Sequence, residues 1–146
     1  MIISRSSLLA ALLIAISGGG SIADEFGGVW LTEDGSSRVR FERCENGYCG
    51  QIIWLRDPVD PETGKAWLDK YNADPRLRLR TLLGLSIVAG LSLKGAGEWE
   101  GAVYNPLDGR TYAGTVKTID HNHLRLTGCA LAGLLCQSEA WARVAD

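Results

Sequence analysis

Arg38-Val39-Arg40-Phe41-Glu42-Arg43-Cys44-Glu45-Asn46-Gly47-Tyr48-Cys49-Gly50-Gln51-Ile52-Ile53-Trp54-Leu55 is the stretch that decides the fold. Arg38, Arg40 and Glu42 alternate with Val39 and Phe41, the period of a strand with one wet and one dry face. Asn46-Gly47 is a strong hairpin-turn signal, and Tyr48 to Leu55 then reads as the partner strand. The turn brings Cys44 and Cys49 to where a disulfide can form.

Outward from this hairpin the same grammar repeats. Gly28 to Thr32 is a first strand, ended by Glu33-Asp34-Gly35. Gly84 to Leu93 is rich in Leu, Ile and Val, with Gly90 placed for a bend or bulge. Glu98 to Tyr104 and Arg110 to Ile119 flank the turn Pro106-Leu107-Asp108-Gly109. His123 to Cys129 and Gln137 to Val144 complete eight strands. Only Asp57 to Arg80 breaks the rhythm. It is a long polar insert with Pro58, Pro61 and Pro75, in which Asp74-Pro75-Arg76 can open one helical turn. Sequential antiparallel strands with tight turns predict an all-β fold, an eight-stranded up-and-down barrel, because closure removes exposed edges. A β-sandwich is the alternative, with the insert as its crossing connection.

The N-terminus reads as a secretory signal over residues 1–23. Arg5 precedes an apolar run, Leu8 to Ile16, too short to span a bilayer, and Ser21-Ile22-Ala23 fits a cleavage site. Residues 24–146 are expected as one barrel domain without a membrane span, periplasmic or secreted. Four cysteines in an exported chain favour two disulfides; of the three connectivities, local pairing of Cys44 with Cys49 and of Cys129 with Cys136 is expected. A formal net charge of −2 with scattered basic residues argues against a nucleic-acid partner.

Two sets of residues carry resemblances. Gly28-Val29-Trp30 with Arg143 in the last strand is similar to the lipocalin signature, in which an arginine packs over the tryptophan and closes one barrel end. Cys44 to Leu55, Asn72 to Leu85, Trp99 to Tyr112 and Gly128 to Val144 resemble the exported bacterial family known as domain of unknown function 2147. That resemblance implies a lipocalin-like (calycin) barrel and no established activity, and it assigns no functional residue.

Alternation turns Val39, Phe41, Ile52, Trp54, Trp99, Val103, Tyr112, Val116, Leu124 and Leu126 inward. A barrel of this size either fills with side chains or holds one small ligand. The leading expectation is an exported, non-enzymatic binder or carrier of a small apolar or amphipathic molecule, lined by Val39, Phe41, Trp54, Trp99, Val103 and Tyr112. The alternative is an envelope interaction module with a filled core, working through residues 57–80 or a strand edge.

Other constellations point to little chemistry. The acidic insert, with oxygen ligands at Asp57, Asp60, Glu62, Asp69, Asn72 and Asp74, lacks the calcium-loop pattern and reads as solvated, or as a lid with Trp67 and Tyr71 facing inward. His121 and His123 diverge if they occupy a turn, so no metal is expected. Glu98 and Glu100 share an outward face, and Arg76, Arg78 and Arg80 read as soluble surface. No nucleophile motif, free thiol or cofactor fingerprint is present.

Overall fold

The computed structural model describes residues 27–146; the expected signal segment, residues 1–23, and its expected cleavage site lie outside the described residues. Eight strands close into an antiparallel barrel in the order β1-β10-β9-β8-β7-β6-β3-β2. They are β1 (Gly28–Leu31), β2 (Ser37–Cys44), β3 (Gly47–Leu55), β6 (Ser86–Gly95), β7 (Glu98–Asn105), β8 (Arg110–Asp120), β9 (His123–Ala130) and β10 (Leu135–Val144). Every strand pairs with its sequence neighbour except across the insert, which holds the ribbon β4 (Val59–Asp60) and β5 (Lys65–Ala66) and a 3-10 turn, Pro75–Leu77. Asp74 caps that turn, its carboxylate accepting from the Arg76 amide.

Turn chemistry fixes the hairpins. At the β2–β3 turn Gly47 has φ +117°, and a Cβ there would lie 2.1 Å from the Leu91 carbonyl oxygen, so only glycine fits. At the β7–β8 turn the Asn105 carbonyl accepts from Gly109 and its side chain from Leu107. Both disulfides pair locally, Cys44 with Cys49 and Cys129 with Cys136.

The two ends of the barrel differ. At one end, the base, the turns β2–β3, β6–β7 and β8–β9 are tight. The other end, the mouth, carries the β1–β2 turn, the insert, the β7–β8 turn and the β9–β10 tip. The core sits in the base half: Trp30, Val39, Phe41, Tyr48, Ile52, Val88, Leu91, Trp99, Val116, Leu124, Leu126 and Trp141 pack together, all buried. Tyr48 and Trp99 meet edge to face at 5.4 Å, a favoured aromatic arrangement. Arg143 lies over Trp30 and donates to the carbonyls of Gly27 and His121, tying the last strand to the first.

The insert is built onto the outer wall. Asp69, wholly buried, accepts from the Tyr104 hydroxyl, from Asn72 at 2.8 Å and from Arg80 at 2.8 Å. The same burial, followed by the adjacent Asp69 carboxylate, raises the Tyr104 pKa above its ordinary value. The β7–β8 turn presses against this assembly; a Cβ on Gly109 would sit 1.8 Å from the Tyr71 carbonyl oxygen.

Candidate functional site

Strand pairing assigns a face to each candidate. Val39 and Phe41 are buried inside the barrel, Phe41 at 6.2 Å from Trp141, and Trp99 is buried against Tyr48. These three lie in the packed base. Val103 and Tyr112 face each other across β7 and β8 nearer the mouth, and both stay partly accessible.

Trp54 departs from the expected lining. β2 and β3 pair regularly from Cys44 to Val39, which sits opposite Ile52, but Arg38 then sits opposite Trp54. Ile53 is therefore an extra residue, a β-bulge that flips the pleat beyond it. Leu55 takes the inward place and packs against the core. Trp54 turns out, 36% exposed, with the Arg38 guanidinium 4.7 Å from its ring centroid. Nothing in the alternating pattern of Ile52-Ile53-Trp54 marks this slip, because all three are apolar.

Above the packed half, the inner wall is made largely of glycine. Gly101 pairs with Gly114, which pairs with Gly128, which pairs with Gln137, one row across four strands. Val103 fills the space beside Gly114, where a Cβ would lie 2.3 Å from its Cγ2. Gly128 is different: its nearest neighbour is the Tyr112 Cβ at an ordinary 3.5 Å. Glu139 belongs to this face too, since it pairs with buried Leu126 and accepts from the Trp141 indole N–H at 2.8 Å. The result is a cup open to solvent: Leu55, Val103, Tyr112, Gly128 and Glu139 around it, and Trp141 at its floor.

The polar handles of the cup are already engaged. The Tyr112 hydroxyl donates to Asp108 in the β7–β8 turn, and that hydrogen bond, with burial second, raises the tyrosine pKa above its ordinary value. Sequence reasoning missed Leu55, Gly128 and Glu139. Glycine carries no hydropathy signal, and an outward slip at Ile53 is needed before Leu55 can be read as inward.

Two shallow clefts of about 440 and 350 Å³ lie at the base, sharing Arg43 and Tyr48. The remaining candidates settle into structural contacts. Trp67 does not face the lumen; its indole donates to the Asp57 carbonyl within the insert, and Tyr71 is 54% exposed. Arg76 pairs with Asp74, Arg78 donates to the Asn72 carbonyl and Arg80 pairs with Asp69, so this row ties down the insert. Lys94 pairs with Glu100, and the His123 ring bonds Asp120, while the His121 carbonyl serves Arg143.

Comparison with known proteins agrees with this architecture. Residues 28–143 match the family described as "uncharacterized protein conserved in bacteria (DUF2147)". Among solved structures, protein HP1028 of Helicobacter pylori, described as belonging to the lipocalin family, superposes with a TM-score of 0.68 at 26% identity, over 82% of this chain and 83% of that one. No curated protein matches the chain.

Proposed function

We propose that this chain, which belongs to the bacterial DUF2147 family, is an exported, non-enzymatic binder or carrier of one small apolar or amphipathic molecule, held in the mouth half of a lipocalin-like barrel. One observation carries the reading: inward-facing residues are sealed at the base yet accessible at the mouth. Trp30, Val39, Phe41 and Leu124 are buried, whereas Leu55, Val103, Tyr112 and Glu139 line space that solvent reaches. The lipocalin description of the HP1028 structure supports a carrier reading for the same architecture. Apolar walls with a few polar groups at the rim suit a ligand with an apolar body and a polar end.

Export is supported by the N-terminal signal pattern and by two disulfides, bonds that persist in oxidising compartments. Among the described residues, no helix is long and apolar enough to cross a membrane. The non-enzymatic part rests on where titratable groups sit. Asp69 and Tyr104 hold the insert, and Asp120 and His123 share a base turn. In the cup itself, Tyr112 and Glu139 are each engaged in a hydrogen bond within the fold, to Asp108 and from the Trp141 indole.

Native mass spectrometry of protein isolated from an exporting host without delipidation tests the proposal. It is supported by a reproducible adduct that organic extraction removes and that Gly128→Leu prevents. A bare mass that lipid extracts leave unchanged overturns it. That outcome favours the second reading, an interaction module, which the fully packed base half already suits.

A further inference from the structure

The cup carries a charge on its inner wall. Along β10, Trp141 pairs with Leu124, Glu139 with Leu126 and Gln137 with Gly128, so Glu139 stands one pleat above the floor. Its Oε2 accepts from the Trp141 indole, which orients the carboxylate without neutralising it and leaves Oε1 as a further acceptor. None of the ion pairs among the described residues includes Glu139. There is room for a partner beside it. At Gly128, its diagonal neighbour across the ladder, a Cβ would meet only Tyr112, at an ordinary 3.5 Å. On the other side β1 stops short: it pairs with β10 from Val29–Val144 to Leu31–Ala142, whereas β10 runs on to Leu135. The wall is therefore notched beside Glu139, which is exposed.

The surrounding charges are sorted by face. Glu33 lies at the notch, where its carboxylate accepts from the Ala140 amide at 3.0 Å. Neither border of the notch supplies a cation, since residues 28–37 and 126–142 contain no lysine, arginine or histidine. Arg38 and Arg125 pair with Leu31 and Ala140, neighbours of inward Trp30 and Trp141, and so belong to the outer face. Arg56 is spent on Asp57. Arg110 shares the face of Tyr112 but stands at the rim, beside Asp108, whose carboxylate accepts from the Arg110 amide. Below the rim the lumen combines apolar walls with the negative charge of Glu139. We infer, on the strength of the carrier reading, that the cup selects an amphiphile with a cationic head, of the alkylammonium class. Its chain lies against Leu55, Val103 and Tyr112, and its head meets Glu139. An ammonium offers this carboxylate both charge and N–H donors. A neutral head offers only a hydrogen bond, and a carboxylate head brings two like charges together.

Titration calorimetry with octylammonium, octanol and octanoate, which share a chain and differ in head charge, tests the inference. Protein from an exporting host, freed of bound lipid, is titrated at neutral pH and low salt. Octylammonium should bind about tenfold more tightly than octanol, within the range for unit charges about 4 Å apart at a solvent-reached site, and octanoate more weakly than either. Added salt should shrink the wild-type preference, a readout that needs no variant. Glu139→Gln keeps an acceptor for the Trp141 indole but removes the charge, and should bring the three affinities within about threefold of one another. Gly128→Leu should abolish binding of all three. Equal wild-type affinity for ammonium and alcohol, a preference that Glu139→Gln retains, or ammonium binding that survives Gly128→Leu each overturns the inference. In those cases octanol binding that Gly128→Leu blocks leaves the carrier reading standing. Binding of none of the three overturns both.

Discussion

The guanidinium of Arg143 sits 4.2 Å from the ring centroid of Trp30, directly across the ladder that joins the last strand to the first. Its N–H groups also reach the carbonyls of Gly27 and His121. One side chain thus completes barrel closure and covers the base of the core. Arg143→Ala removes the cation–π contact and the charged hydrogen bonds together, so a loss of about 2–4 kcal/mol is expected in urea unfolding. Arg143→Lys recovers only a minor part, because a point charge lacks the planar fork that serves two carbonyls and an indole at once. A variant within 0.5 kcal/mol of the wild type, by order of magnitude the effect of an ordinary surface change, would show that the seam closes without it.

Tyr104 and Asp69 couple the insert to the outer wall. In Tyr104→Phe the buried carboxylate loses a donor, and about 1–3 kcal/mol of stability should go with it. The pH dependence follows from the raised tyrosine pKa. The neutral phenol is favoured in the fold, so its contribution is complete below the ordinary value of 10 and is lost as pH rises through the higher folded value. Thermal midpoints measured between pH 8 and pH 12 should fall more steeply for the wild type than for Tyr104→Phe. Parallel curves would mean that this hydroxyl does not titrate with unfolding.

The glycine row separates packing from function. Gly114→Ala drives a methyl into Val103 and should destabilise by about 1–3 kcal/mol. Gly128→Ala meets only ordinary contact with Tyr112 and should be close to neutral. Gly128→Leu projects into the cup; binding of an apolar fluorescent dye such as 1-anilinonaphthalene-8-sulfonate should weaken about tenfold with the unfolding midpoint retained. Equal dye affinity in wild type and Gly128→Leu would place dye binding elsewhere.

Reduction of the two disulfides adds four hydrogens to the mass. Their effects on stability should be similar, about 2 kcal/mol each, because both loops are short. Their effects on dynamics should differ. Cys129→Ser/Cys136→Ser should accelerate amide exchange in the β9–β10 finger while the β2–β3 hairpin stays protected. Uniform acceleration across the barrel would instead identify the staple as part of the global fold.

Much of the barrel was legible because its signals are local. Asn46-Gly47 between alternating segments, the cysteines flanking it, Gly90 at the β6 irregularity and the Asp74-Pro75 start all describe a few neighbouring residues. The Gly28-Val29-Trp30 strand and Arg143 were legible as a resemblance, and the ladder pairs Trp30 with Arg143. Trp54 was not legible as an outward residue, since a single inserted Ile53 among apolar neighbours leaves no trace in hydropathy. The cup was misread for a related reason: three of its predicted lining residues, Val39, Phe41 and Trp99, fill the base instead of bounding empty space.

Sequence alone determined the all-β class, the number and order of the barrel strands and the single insert, and it favoured the local disulfide pairing, because strand period, turn preference and short loop closure depend on neighbours in the chain. Tertiary structure alone decided which half of the lumen is filled, which face Trp54 and Leu55 take, and that the insert locks onto Tyr104 through Asp69. Those outcomes depend on volumes and registers summed around a closed barrel, where one bulge or one row of glycines changes what the opposite wall can reach.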